Sequence, residues 1–322
     1  MDDTLTIDSL VAQSPLSKPT DLDEVLIGLT DSPKRISPKF FYDERGSELF
    51  NQITQLPEYY LTRSELEILE SSRDAIASSV KGTECLIEYG SGSSYKVRLL
   101  LNAIRPELYV PVDISREYLQ KAAKKISDAY PDLSVLPIGA DYTKPFDLPD
   151  EAKGKQCTAF FPGSTIGNFE REEACRFLQS ISETVGSGGK LILGVDSRNH
   201  PAILNAAYND SKGITAEFNL NILRHLNKVL DTNFVLEQFN HVARYNEDLG
   251  RIEMYLQSNI QQSVQIGENE ISFAEAELLH TENSYKYNLP DLMKVAKAAN
   301  MTLKEVWTDA SKLFQVVLLE VN

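Results

Sequence analysis

The sequence predicts an α/β protein built on a parallel, doubly wound sheet that carries a second, inserted lobe. Three observations predict it. A short apolar strand at Leu86 and Ile87 runs through Glu88 into a loop with Gly90 and Gly92, then into an amphipathic helix beginning near Ser94. From there to Asp196, strand-like apolar runs alternate with helical patterns, as a parallel sheet covered on both faces requires. The alternation stops at Asp196 and returns near Leu289, so residues 199–287 read as a lobe inserted between the fifth and sixth strands.

In chain order, residues 1–20 are polar and aperiodic and read as a flexible arm. Over 21–80 the spacing is helical, with Leu22, Val25, Leu26 and Leu29 first and Leu66, Leu69 and Ile76 later; this stretch is assigned to the substrate lobe. Within it, residues 40–50 and 56–63 crowd aromatics and charges around Pro and Gly breaks. Such runs suit either core packing or a lid of tyrosines over a polar, partly planar ligand. Residues 81–198 form the sheet core. After the glycine loop come a strand at 108–114, a helix at 116–130 with Leu119, Ala122 and Ile126 on one face, and strands around 135–138 and at 158–161. A helix at 170–185 and a strand at 190–196 follow. The inserted lobe is largely helical over 201–230, then antiparallel over 234–245 and 251–257 about a turn at 246–250, and mixed to about residue 287. Residues 288–322 complete the core with a helix at 289–299 and strands at 303–308 and 313–321. The lobe and the N-terminal helices are expected over the carboxyl edge of the sheet, where doubly wound folds bind ligands.

Composition narrows the function classes. A chain of 322 residues with 42% hydrophobic content builds a core without staples. Cys85, Cys157 and Cys175 include no Cys-x-x-Cys pair, which argues against a disulfide framework or zinc site and for a reducing compartment; a cytoplasmic location is expected. The N-terminal residues lack the pattern of a signal peptide and no apolar stretch approaches spanning length, so no membrane partner is expected. A net charge of −15, from 47 acidic against 32 basic residues, argues against nucleic acid. The expected partner is a small molecule, handled by a monomer without a metal.

The candidate chemistry gathers around the glycine loop. Gly90 and Gly92 permit close backbone approach to a nucleoside-containing ligand, or simply a tight turn; the third glycine of the dinucleotide fingerprint and the phosphate-loop pattern are both missing. Asp113 ends the second strand, about 20 residues on, where a carboxylate accepts both hydroxyls of a ribose. Asp141 ends the third and could accept from the exocyclic amine of adenine, with Tyr142 as a ring along the base. Each acid alone reads equally as a cap or loop acid. Together with Glu88 they converge on an adenosine-binding edge, and the lack of a phosphate cradle favours S-adenosylmethionine over NAD. Lys96 either meets the methionine carboxylate or is a solvated helix lysine. Asn168, past the fourth strand in the run 161–169, either faces the transferable methyl with a donor and an acceptor or caps the next helix. The four histidines fall at no ligand or triad spacing, and Asp196 reads as a loop or cap acid.

The runs 41–50, 56–63, 88–92, 162–169 and 281–284 together resemble the histidine-specific Nα-methyltransferases of ergothioneine biosynthesis, over roughly residues 20–322. The resemblance implies a class I methyltransferase fold with a substrate lobe, and transfer of three methyl groups from S-adenosylmethionine to the α-amine of L-histidine, giving hercynine. It places Gly90, Lys96, Asp113, Asp141 and Tyr142 at the cofactor; Tyr142 departs from the phenylalanine of some relatives but keeps a ring. It places Asn168 and Tyr208 on the substrate carboxylate and amine, and Tyr60, or its neighbour Tyr59, with Glu282 and Ser284 on the imidazole. Tyr42, Phe50, Gly163 and Met254 fall around the pocket wall. Chemistry agrees: Glu282 can accept one imidazole N–H while Ser284 bonds the other nitrogen, and Tyr42 or Asn168 could hold the amine lone pair on axis. Competing readings keep the fold and change the substrate to a tryptophan-derived amine, remove turnover to leave a binding module, or exchange the cofactor for NAD.

Overall fold

The computed structural model describes residues 18–92 and 95–322, so most of the expected arm and the helix start at Ser94 lie outside the described residues. The described chain divides into two compact units. One comprises Leu61–Arg198 and Lys286–Asn322; the other comprises residues 18–60 and Asn199–Tyr285. The sheet unit therefore begins at Leu61, whereas 61–80 was expected in the substrate lobe, and the second crossing falls at Tyr285/Lys286 rather than after residue 287.

The described residues open with α1 (Lys18–Thr30), a 3-10 turn at Pro38–Phe41 and α2 (Glu44–Ile53), whose N-cap Asp43 accepts the Gly46 N–H at 2.7 Å. Next come α3 (Tyr60–Ser71) and α4 (Arg73–Ser79). The core then alternates β1 (Cys85–Tyr89), α5 (Tyr95–Ile104), β2 (Leu108–Asp113), α6 (Arg116–Ala129), β3 (Ser134–Val135), β4 (Ile138–Gly139), β5 (Cys157–Phe161), α7 (Arg171–Val185) and β6 (Lys190–Asp196). β1 and β5 are buried at every position, which is why they read as unbroken apolar runs. The expected third strand is split in two, because Pro137 has no N–H to give to a ladder.

The second unit resumes with α8 (Pro201–Tyr208) and α9 (Ile214–Leu230). The expected single helical stretch breaks because Asp210 caps α9, accepting from Ile214 N–H at 2.9 Å and Thr215 N–H at 2.8 Å, with Gly213 at φ +74° between them. β7 (Phe239–Asn246) and β8 (Arg251–Ser258) pair antiparallel about the expected turn. The stretch expected to be mixed is β9 (Gln262–Ile266), β10 (Asn269–Phe273) and β11 (Leu278–Tyr285). β11, β8 and β7 form one antiparallel sheet, with α8 and α9 against it, and β9 pairs with β10.

The chain returns to the core through α10 (Leu289–Ala298), β12 (Met301–Thr308) and β13 (Phe314–Val321). The sheet order is β12-β13-β6-β5-β1-β2-β3, with β4 also on β2. Its interior is parallel, but β13 runs antiparallel to β6 and β12 antiparallel to β13. The parallel core read from the alternation holds through β6; beyond it, β12 and β13 cannot be parallel neighbours, because five residues join them and a parallel crossover needs a dozen or more. Asp309 shapes that turn, accepting Phe314 N–H at 2.7 Å and Ser311 N–H at 3.1 Å.

Candidate active site

The sheet unit sets out the expected cofactor residues at the carboxyl ends of β1, β2 and β4. Beyond β1 the chain turns at Gly90, φ +73°, a conformation that a side chain would strain. Val112 C=O accepts both Gly90 N–H at 2.9 Å and Ser91 N–H at 3.2 Å, which ties the loop to β2. Glu88 lies beneath the loop and is buried; its carboxylate accepts from Ser91 Oγ at 2.8 Å and from the Tyr109 hydroxyl. Burial pushes the Glu88 carboxyl up to about 7, against the pull of those two hydroxyls. Glu88 thus fixes the loop from below. Tyr109 and Ser91, which sequence reading passed over, are its partners.

Asp113 ends β2, and its Oδ1 accepts Ser115 N–H at 2.8 Å. Burial raises its carboxyl to about 6, opposed by the N–H groups of Ser115 and Ile114. Asp141 lies just past β4. Its Oδ1 accepts from Thr143 N–H at 3.1 Å and from Thr143 Oγ1 at 2.6 Å, and Lys144 Nζ stands 3.6 Å from Oδ2. The Tyr142 ring meets Tyr89, Phe161 and Phe177 at centroid distances of 6.2, 5.9 and 5.7 Å, and its hydroxyl would lie 3.7 Å from a Cβ on Gly90. Gly90, Asp113, Asp141 and Tyr142 are therefore brought together.

Lys96 has a protein partner. Its Nζ is 2.5 Å from Oε2 of Glu65, a carboxylate on α3 with no exposed side-chain surface. The same carboxylate accepts Gly163 N–H with both oxygens, at 3.0 and 2.9 Å. A Cβ on Gly194 of β6 would stand 2.1 Å from Glu65 Oε1, so that glycine leaves the space the acid fills. Sequence reading missed Glu65, yet a signal was present: it sits in the buried stripe of α3 with Leu61, Ile68 and Leu69. Gly163, at φ +78°, and Ser164, at φ +60°, turn the chain beyond β5 into a 3-10 helix, Thr165–Asn168. Ser164 Oγ accepts Asp196 N–H at 2.9 Å, tying this tip to the end of β6. Asn168 closes that helix, and Glu170, not Asn168, caps α7.

The second unit holds the expected substrate residues other than Asn168, which lies in the sheet unit. Tyr42 meets Phe50 at 6.0 Å and Phe218 at 5.8 Å, edge to face. Phe50 meets Tyr59 at 6.3 Å, and Tyr59 meets Tyr208 at 6.2 Å. Tyr59 thus belongs to the aromatic chain, while the Tyr60 hydroxyl accepts from Asn199 Nδ2 at 2.9 Å. On the sheet, Glu282 of β11 is the cross-strand partner of Met254 on β8. Both are buried, and the Tyr208 hydroxyl donates to Ser284 Oγ at 2.8 Å. The site is held from behind by Asn219 of α9, whose Nδ2 donates to His241 Nδ1 at 2.9 Å. Nε2 of His241 then carries the ring proton and donates to Tyr208 C=O at 2.9 Å. Burial holds the His241 pKa below its usual value, in keeping with a neutral ring.

The donor set fits S-adenosylmethionine. Asp113 and Asp141 offer acceptors to hydroxyls and an amine, and Tyr142 offers a ring. Glu65 neutralises the lysine at the start of α5, which suits a nucleoside without pyrophosphate. Among the described residues, no group of His, Cys, Asp and Glu could hold a metal, and no helix is long and apolar enough to cross a membrane.

Comparison with known proteins agrees in both units. The family model described as histidine-specific methyltransferase, SAM-dependent, matches residues 21–321. The histidine N-alpha-methyltransferase of Mycolicibacterium smegmatis is 37% identical over 301 residues, which cover 92% of this chain and 93% of that protein. Ergothioneine biosynthesis protein 1 of Neurospora crassa is 31% identical over 290 residues, 86% of this chain and 32% of that longer one. Among solved structures, the CcbJ methyltransferase from Streptomyces caelestis overlays 79% of this chain and 96% of its own at a TM-score of 0.47 and 15% identity. With a class I sheet, a phosphate-free nucleoside edge and a family match that runs through both units, the chain belongs to the histidine-specific, S-adenosylmethionine-dependent methyltransferases.

Proposed function

We propose that this protein methylates the α-amine of L-histidine three times to give hercynine, the opening step of ergothioneine biosynthesis. The observation that carries the substrate is the pairing on β11: a buried carboxylate, Glu282, two residues from a hydroxyl, Ser284, that is itself bonded by Tyr208. An imidazole has two ring nitrogens to meet that pair, whereas an indole would leave the buried acid facing carbon. S-adenosylmethionine, when bound, supplies an electrophilic methyl on sulfur.

The chain's own residues bind, align and desolvate. Asp113 and Asp141 accept from the ribose and the adenine amine, Tyr142 lies along the base, and Gly90 lets the backbone approach. Lys96, anchored by Glu65, keeps further N–H bonds to offer a carboxylate. Asn168 and Tyr208 hold the amino-acid carboxylate and amine, and Tyr42 with Phe50, Tyr59 and Met254 forms the apolar wall. Tyr59 joins Tyr60 as a candidate for the imidazole, on the strength of its place beside Tyr208. Burial among rings favours the neutral, nucleophilic amine, and Tyr42 or Asn168, directly or through water, keeps its lone pair on the line of displacement. We place the enzyme in the cytoplasm as a monomer acting on free histidine.

Mass spectrometry of histidine incubated with the protein and S-adenosylmethionine is expected to show gains of one, two and three methyls. Equal or faster turnover of tryptophan overturns the substrate. Glu282→Ala is expected to raise the KM for histidine far more than it weakens cofactor binding; an unchanged KM removes Glu282 from the site.

A further inference from the structure

The strand that carries Glu282 and Ser284 is not regular. His280 pairs with Tyr255, but the next pair is Glu282 with Met254, so Thr281 is an extra residue in β11. The bulge decides which face the imidazole-reading groups occupy. Without it, continued register would set Glu282 opposite Glu253 and Ser284 opposite Arg251, because a one-residue slip moves every later side chain to the other face. With it, Glu282 and Ser284 stand opposite Met254 and Ile252 and share their face.

A hydrogen-bond network centred on two buried residues holds the bulge. Thr281 Oγ1 donates to Asn219 Oδ1 at 2.7 Å, and both residues are wholly buried. Asn219 Nδ2 donates on to Tyr255 C=O on β8 at 2.9 Å and to His241 Nδ1 on β7 at 2.9 Å. His241 reaches Tyr208 C=O, and the Tyr208 hydroxyl returns to Ser284 on the strand where the path began. An amide in the interior of α9 that bonds three strands is costly to bury and is not needed for packing, since an apolar residue of similar size would fill the space. We propose that Thr281 and Asn219 are positioning residues for substrate specificity: they lock the β11 bulge and thereby hold Glu282, Ser284 and Tyr208 in the geometry that reads the imidazole.

The proposal rests on the histidine reading above, and its test separates the two. Thr281→Val keeps the branched shape and removes only the donor, leaving Asn219 Oδ1 short of a partner. It is expected to raise the KM for histidine about tenfold, the scale of a buried acceptor left unmade. Affinity for S-adenosylhomocysteine, read by titration calorimetry, should stay at the wild-type value. Thr281→Ser restores the hydroxyl and should restore the KM. Thr281→Ala, with room for water beside Asn219, is the second variant should valine fail to fold, with the same direction expected. An unchanged histidine KM in Thr281→Val and Thr281→Ala, a loss confined to kcat, or failure of serine to rescue overturns the bulge lock. Absence of histidine turnover by the wild-type protein in the same assay overturns the substrate reading itself, and the specificity claim with it.

Discussion

Glu65 offers the sharpest quantitative test of how the sheet unit is held in working order. It is a carboxylate without exposed surface, 2.5 Å from the Lys96 ammonium, and it accepts the Gly163 N–H with both oxygens. Removing one member of a buried pair costs about 3–5 kcal/mol, because the other charge stays where water cannot solvate it. Lys96 retains 14% side-chain exposure, which places its share at the lower end. The orphaned Gly163 N–H adds about 1 kcal/mol or more. Glu65→Ala is therefore expected to cost about 4 kcal/mol of unfolding free energy, read by urea denaturation. Glu65→Gln keeps the volume and one acceptor for Gly163 while losing the charge, so it should cost about half as much. Lys96→Met in the Glu65→Gln background should recover part of the loss, giving a coupling of at least about 1 kcal/mol. Affinity for S-adenosylhomocysteine should fall in both Glu65 variants, since Glu65 anchors Lys96, the residue assigned to the cofactor carboxylate. A loss under about 1 kcal/mol for Glu65→Ala, or strictly additive single variants, refutes the reasoning.

Two further predictions concern pH and backbone space. Asp113 has its folded carboxyl raised to about 6 from 3.8 by burial, so its proton stabilises the ligand-free fold below about pH 4 and that contribution is lost as pH rises through about 6. Ribose hydroxyls donate to the ionised form, so binding expels the proton: affinity for S-adenosylhomocysteine should strengthen between about pH 5 and about pH 6 and level off above, and a flat profile by calorimetry removes Asp113 from the ribose. At Gly46 a Cβ would stand 1.7 Å from Phe41 C=O and 3.1 Å from Asn221 Nδ2. Gly46→Ala must therefore shift the backbone at Tyr42 and Asp43, and is expected to cost about 3 kcal/mol or more together with most histidine turnover; near-wild-type stability in urea refutes that packing.

What was legible in the sequence follows the range of the interactions that decide each feature. The alternation from Leu86 to Asp196 could be read because the central parallel strands β1, β2, β5 and β6 are buried almost throughout and the helices between them carry a 3.6 period; both are local patterns. The reversal of β12 and β13 was legible in principle from a five-residue connection, too short for any crossover, but strand count alone does not reveal it. Asp113, Asp141 and Gly90 stand out because the ends of parallel strands are fixed by topology. Glu65 does not, since its partners Lys96, Gly163 and Gly194 are far from it in sequence and its own helix offers no clue beyond a charge in an apolar stripe. The bulge at Thr281 is hidden for a related reason. Periodicity in a window counts residues without knowing which one is left unpaired, and the residue that answers, Asn219, lies on a helix 62 positions earlier. Where a family motif ends in Thr281-Glu282-Asn283-Ser284, the threonine looks like a spacer; it is the position from which the face of the following glutamate is set.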